Sequence, residues 1–103
     1  GERRARGGGL VSRVRVSFPP QAMKTTHAGL DLDASAARYR DALEEALVQA
    51  LPDHEIVVEI DRGASALSVT IDTDDVVLAR TIERDVLDHA WVVRQMGAWA
   101  VVG

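Results

Sequence analysis

The stretch SVTIDTDDVVLARTIERDVLDHAWVV, residues 68–93, decides the fold because its apolar residues change from a strand period to a helix period. Up to Asp72 apolar and polar residues alternate, which predicts a half-buried strand. After Asp75 the apolar residues recur every three or four positions, which predicts a helix with one buried stripe. The predicted stripe consists of Leu78, Ile82, Val86, Ala90 (or His89) and Val93.

The acidic junction between the two periods predicts a capped helix start. We expect Thr73 or Asp74 to cap the helix by accepting a backbone N–H of its first turn. The carboxylates of Asp74 and Asp75 lie where they complement the positive end of the helix dipole. This structural role is favoured over a cation site, because the cluster lacks the ligand count and the central Gly of a calcium loop.

A second strand and helix are predicted upstream of this stretch. Residues 24–32, KTTHAGLDL, alternate and are interpreted as the first strand of the folded body. Asp33 is expected to cap a helix over residues 34–51, which is rich in Ala, Leu, Glu and Arg. Pro52 prevents that helix from continuing.

Two further alternating segments complete the predicted fold. HEIVVEI (residues 54–60) and ALSVTID (residues 66–72) flank Gly63, which predicts a hairpin with a short turn. The fold class is therefore α+β in the order β-α-β-β-α. We expect a three-stranded antiparallel sheet with two helices on one face.

The charge distribution predicts one folded domain behind a basic arm. Residues 1–22 contain five Arg and one Glu, a net charge of +4. The whole chain carries −4, so residues 23–103 carry −8. We interpret residues 1–22 as a Gly-rich arm, either disordered or preceding a native start at Met23, and residues 23–103 as a single domain. Within the arm, RVRVSF also fits a strand that Pro19 and Pro20 would end.

The sequence predicts neither a catalytic site nor a metal or cofactor site. The three histidines lack metal-ligand spacing, and there is no Cys to help them. No nucleophile, base and orienting group form a recognisable motif, so we expect a protein that is not an enzyme. The absence of Cys fits a reducing compartment, and we expect a cytoplasmic protein. No run of eighteen apolar residues is present, so no membrane contact is predicted.

The C-terminal segment AWVVRQMGAWAVV, residues 90–102, is more apolar than one buried stripe requires. A small domain offers little interior to cover it, so we expect association through this end, as a homodimer or as a heterodimer with a paralogue. Arginines near it are candidate polar anchors. The predicted partner-binding residues are Leu78, Arg80, Ile82, Arg84, Trp91, Val92, Arg94, Met96 and Trp99.

Three stretches resemble the small dimerising subunit of the KEOPS complex, a family that includes the cancer/testis-antigen-type (CTAG/Pcc-type) subunits. They are ALVQALPD (residues 46–53), ALSVTIDTDD (66–75) and VLDHAWVVRQM (86–96), and the resemblance spans residues 24–96. It implies a non-catalytic subunit that dimerises and docks on the ATP-dependent transferase subunit. That complex installs threonylcarbamoyl-adenosine in tRNA, and any tRNA contact would occur only within it. A divergent paralogue of this family is an alternative.

A different class of protein also fits the composition. A small acidic β-α-β-β-α protein could be an inhibitor, an immunity protein or a nucleic-acid mimic of a mobile element, binding through its negative surface. Salt separates the two hypotheses, because a mimic should release a basic partner as ionic strength rises.

Overall fold

A computed structural model describes residues 12–24 and 29–103. Strand β1 spans Arg13–Phe18 and is followed by a short 3-10 helix, Pro20–Met23. Helix α1 spans Leu32–Ala50, and strands β2 and β3 span Glu55–Ile60 and Ser68–Asp72. Helix α2 spans Val76–Met96. The protein is thus an α+β domain with a three-stranded sheet and two helices.

The sheet is mixed, and its strand order is β2-β1-β3. Strand β1 lies in the centre, parallel to β2 and antiparallel to β3. The prediction of an antiparallel sheet was therefore wrong. Helix α1 returns the chain to the end of the sheet at which β1 began, and a helical crossover of this kind connects parallel strands.

The predicted hairpin between the second and third strands was also wrong. Strand β1 separates them: Val16 pairs with Val58 of β2 on one side and with Val69 of β3 on the other. The connection that contains Gly63 passes across the end of β1, where the Asp61 N–H donates to the Phe18 carbonyl at 2.8 Å. Two strand spacings come to about 10 Å, which this connection spans easily.

The first strand lies earlier in the chain than predicted. Of the predicted strand at residues 24–32, positions 25–28 are outside the described residues, and Leu30 makes only an isolated bridge with Val102. Strand β1 instead comes from the segment assigned to the basic arm. Residues 12–22 therefore belong to the folded domain, while residues 1–11 lie outside the described part.

One face of the sheet carries the core and the other faces solvent. Val14, Val16 and Phe18 of β1 are buried, whereas Arg13 and Arg15 between them are exposed. Both helices contribute to the same core, because their apolar stripes pack on this face. The buried helix residues are Ala36, Tyr39, Leu43 and Leu47 of α1 and Ile82, Val86, Ala90 and Val93 of α2. The stripe predicted for α2 is confirmed, with Leu78 packed partly buried at its edge.

The helix caps lie close to the predicted positions but on different residues. Asp31, not Asp33, caps α1, and its Oδ1 accepts the Ala34 N–H at 3.0 Å. Asp75, and neither Thr73 nor Asp74, caps α2 by accepting the Leu78 N–H at 3.0 Å. In both cases an aspartate accepts the N–H three residues ahead, so the cap chemistry was right and its position shifted.

Candidate interaction surfaces on the second helix

The side chains of α2 face two environments because the helix is apolar on more than one side. Its buried stripe covers the core. Outside the stripe, Trp91 is 65% exposed and Met96 is 71% exposed. Neighbouring residues on a helix are rotated by about 100°, so Trp91 and Val92 point to different sides of α2. The exposed apolar residues in the second half of α2 therefore lie on two separate surfaces, and Val76 and Val77 are exposed at the start of the helix.

The first surface, here called the outer strip, comprises Arg80, Arg84, Leu87 and Trp91. These residues are spaced by four, three and four positions, which places them along one side of the helix. Leu87 is 45% exposed, and both arginines are exposed. A shallow depression of about 390 Å³ runs along the strip, and Glu83 and Asp88 also line it. The strip thus alternates cationic, acidic and apolar groups.

The second surface, here called the interhelical groove, lies between α1 and the end of α2. It has a volume of about 240 Å³, with mostly apolar walls. Residues of α1 line one side and residues from the end of α2 and the turn after it line the other: Ala42, Glu45, Ala46 and Gln49 on the α1 side, and Val93, Met96, Ala98 and Trp99 opposite them. Val92, four residues before Met96, is exposed next to the groove.

The chain turns back at Gly97, which adopts a left-handed conformation with φ of 72°. This turn carries Trp99 onto α1, where its ring lies 6.0 Å from the Tyr39 ring in an edge-on arrangement. The Trp99 indole N–H donates to the Arg94 carbonyl at 3.1 Å, and the side chain is only 4% exposed. Trp99 therefore belongs to the core.

Tyr39 lies at the centre of this packed end. Its hydroxyl donates to the Ala90 carbonyl at 2.8 Å, and its ring contacts Phe18 edge-on at 5.2 Å. Burial raises the pKa of the Tyr39 hydroxyl to about 12, while the nearby Arg94 guanidinium acts in the opposite direction to a smaller extent. The phenol is thus neutral at physiological pH, held by packing and by one hydrogen bond.

Arg94 has a structural role. Its guanidinium donates to the backbone carbonyls of Ala22 and of Lys24, the latter at 3.1 Å. It also lies over the Trp99 ring, 5.6 Å from the centroid. Arg94 thereby joins the end of α2 to the segment that follows β1.

The nine residues predicted to bind a partner therefore divide into two groups. Ile82 and Trp99 are buried in the core, Leu78 packs against it, and Arg94 binds the protein's own backbone. Ile82 is enclosed in the core, whereas Trp99, although buried, also lines the interhelical groove. The five that remain exposed are Arg80, Arg84, Trp91, Val92 and Met96. Sequence periodicity missed Leu87, which shares the exposed side with Arg84 and Trp91.

Ser12 and His54 form a contact that the sequence did not reveal. The Ser12 hydroxyl lies 2.8 Å from Nδ1 of His54, and the Glu55 N–H donates to the Ser12 carbonyl at 2.9 Å. No carboxylate among the described residues hydrogen-bonds to His54, and Ser12 is buried. The pair joins the starts of β1 and β2. Across residues 12–24 and 29–103, no group of three His, Asp or Glu side chains is arranged to hold a metal ion.

No family model matches this chain, and no match was found among curated proteins or among solved structures. In the described part of the chain, neither helix combines the length and the apolar character needed to cross a membrane. The two exposed surfaces of α2 are therefore the main observations that bear on function.

Proposed function

We propose that this protein is a non-catalytic assembly subunit that binds a protein partner through α2 and dimerises. The observation that carries the proposal is the exposure of large apolar side chains on α2, above all Trp91 and Met96. Large exposed apolar patches mark protein interaction sites. Trp and Met are also enriched at such interfaces.

The proposed partner is the transferase subunit of a KEOPS-type complex, and the proposed process is threonylcarbamoyl-adenosine modification of tRNA. This part of the proposal rests on the resemblance of residues 24–96 to the KEOPS small subunit. The sheet order departs from the layout that this resemblance implies, because the two segments expected to form the hairpin do not pair with each other. In this proposal the transferase subunit occupies the interhelical groove, whose apolar walls are open to solvent.

The test is reconstitution with the transferase subunit of the same organism. We expect the purified subunits to associate, and the association to persist at high salt because apolar contacts are not screened. Met96→Glu should weaken the complex at least tenfold, since it places a charge in the groove. Val48→Glu is the matched control, because Val48 is an exposed valine of α1 that does not line the groove.

Two results would overturn the proposal in different ways. If the subunits do not associate at any salt concentration and deletion of the gene leaves tRNA threonylcarbamoylation unchanged, the KEOPS assignment is wrong. If the protein instead captures a basic partner and releases it as salt rises, the acidic inhibitor or mimic class replaces it.

A further inference from the structure

The outer strip has a charge pattern that complements itself. Its arginines, Arg80 and Arg84, lie in the first half of α2, and Leu87 and Trp91 follow. Among the described residues, the salt bridges involve other arginines, so these two guanidinium groups have no carboxylate partner there. Asp88 borders the same depression as Arg84. Glu83 also lines the depression. With Asp88 beside it, the strip presents a cation (Arg84), an apolar centre (Leu87), an anion (Asp88) and an exposed indole (Trp91) in succession.

The direction in which two such strips can pair follows from the positions of these groups. If two α2 helices pack in parallel, Arg84 faces Arg84 and Asp88 faces Asp88, which is repulsive. If they pack antiparallel and cross at Leu87, residues before Leu87 meet residues after it. Arg84 of one copy then lies beside Asp88 and Trp91 of the other. A guanidinium can pair with a carboxylate and also lie over an indole ring.

We propose that the outer strip binds a second copy of this chain, with the two α2 helices antiparallel and crossing at Leu87. The inference rests on the proposed function as an assembly subunit and specifies how that subunit pairs. The interface is isologous, so each copy uses the same residues and the assembly closes at two. The interhelical groove uses a different side of α2 and remains open for the partner subunit.

A charge-exchange experiment tests the antiparallel pairing. The wild-type chain should sediment with twice its monomer mass of 11.1 kDa. Arg84→Glu makes both positions acidic, and Asp88→Arg makes both basic, so each variant alone should lose at least tenfold in self-association. An equimolar mixture should associate again as a heterodimer, because every acidic position then faces a basic one. A charge pair formed within one chain cannot produce this mutual rescue. A parallel pair would already be repulsive in the wild-type chain, so neither variant alone would lose self-association relative to it.

A crosslinking experiment tests the crossing point independently. The chain contains no cysteine, so Leu87→Cys introduces a single thiol. Oxidation should join two copies through position 87, since Cys pairs form only when their Cα atoms lie within about 7 Å. Val48→Cys is the matched control and should remain a monomer on a non-reducing gel. Circular dichroism should show that all the variants keep their helices.

Three outcomes overturn the inference: a wild-type chain that stays monomeric, a charge-variant mixture that does not associate, or a Leu87→Cys chain that does not crosslink. A monomeric wild-type chain would also remove dimerisation from the proposed function, whereas none of the three outcomes bears on the binding of the transferase subunit. A chain that dimerises through Leu87 but does not bind the transferase subunit retains the inference and loses the KEOPS partner. A Leu87→Glu chain that is monomeric but still binds the transferase subunit would support both the pairing through the outer strip and the KEOPS partner.

Discussion

Two tryptophans, eight positions apart, show how differently the two sides of the C-terminal region are built. Trp99 is enclosed by Tyr39 and Arg94, and its indole N–H is hydrogen-bonded. Trp91 is 65% exposed on the outer strip. The same residue type thus completes the core on one side and is available for binding on the other. An apolar segment of sequence can therefore serve both purposes within a few residues.

Substituting each tryptophan gives the largest expected contrast. Trp99→Ala should lower the free energy of unfolding by about 3–5 kcal/mol, because it leaves a cavity against Tyr39. Trp91→Ala should change it by less than about 0.5 kcal/mol, as an exposed substitution does. Chemical denaturation measures both, in a Leu87→Glu background so that dimer dissociation does not add to the result. Equal losses would mean that the two sides are not distinct.

Alkaline pH should destabilise the buried side through Tyr39, the one tyrosine of the chain. Its hydroxyl pKa is about 12 in the folded protein and about 10 when unfolded. The contribution of the Tyr39 hydroxyl to the free energy of unfolding is therefore intact below pH 10. It is lost as the pH rises from 10 towards 12, because the unfolded state releases the proton first. The free energy of unfolding should fall by roughly 2–3 kcal/mol over this window.

Tyr39→Phe is the control for this titration. This substitution should remove most of the decrease in the free energy of unfolding between pH 10 and 12. At neutral pH it should lower the free energy of unfolding by about 1 kcal/mol, because the hydrogen bond to Ala90 is lost. If the free energy of unfolding of Tyr39→Phe falls with pH as steeply as that of the wild type, the alkaline destabilisation does not come from Tyr39.

Substitutions of Arg94 and Arg84 in α2 should give the smallest difference in the free energy of unfolding. Arg94→Ala should lower the free energy of unfolding by about 1–2 kcal/mol, because Arg94 donates to two backbone carbonyls and covers Trp99. Arg84→Ala should change it by less than about 0.5 kcal/mol, since Arg84 is exposed. Thermal unfolding of the two variants in the same Leu87→Glu background measures the difference. An Arg84 effect as large as that of Arg94 would place Arg84 in the fold, not at an interface.

The helices could be predicted from sequence because their signals are local. The period of three to four residues predicted the buried face of α2, including Ile82 and Val86. The strand pairing could not be predicted in this way. RVRVSF and residues 24–32 both alternate, and alternation does not indicate which strand lies in the centre of a sheet. The larger side chains of Val14, Val16 and Phe18 fill the core better than Thr26 and Ala28 would, which in retrospect favours β1.

The candidate surfaces were only partly predictable for a similar reason. The sequence indicated an excess of apolar residues after Ala90, and Trp91, Val92 and Met96 are indeed exposed. It could not indicate that Trp99 returns to the core, because that depends on the turn at Gly97 and on the room next to Tyr39. The role of Arg94 depends on contacts with residues some seventy positions earlier.

The ribosome completes β1 before its partner strands exist. Its contacts with β2 join residues about forty positions apart, such as Arg13 and Glu55, and its contacts with β3 are more distant still. A nascent chain therefore carries Val14, Val16 and Phe18 without a complete sheet until β2 and β3 have been synthesised. Proteins dominated by such long-range contacts fold slowly, and their unpaired apolar segments are prone to aggregate. Formation of the sheet should thus be a late step in the folding of this domain, after the synthesis of β3.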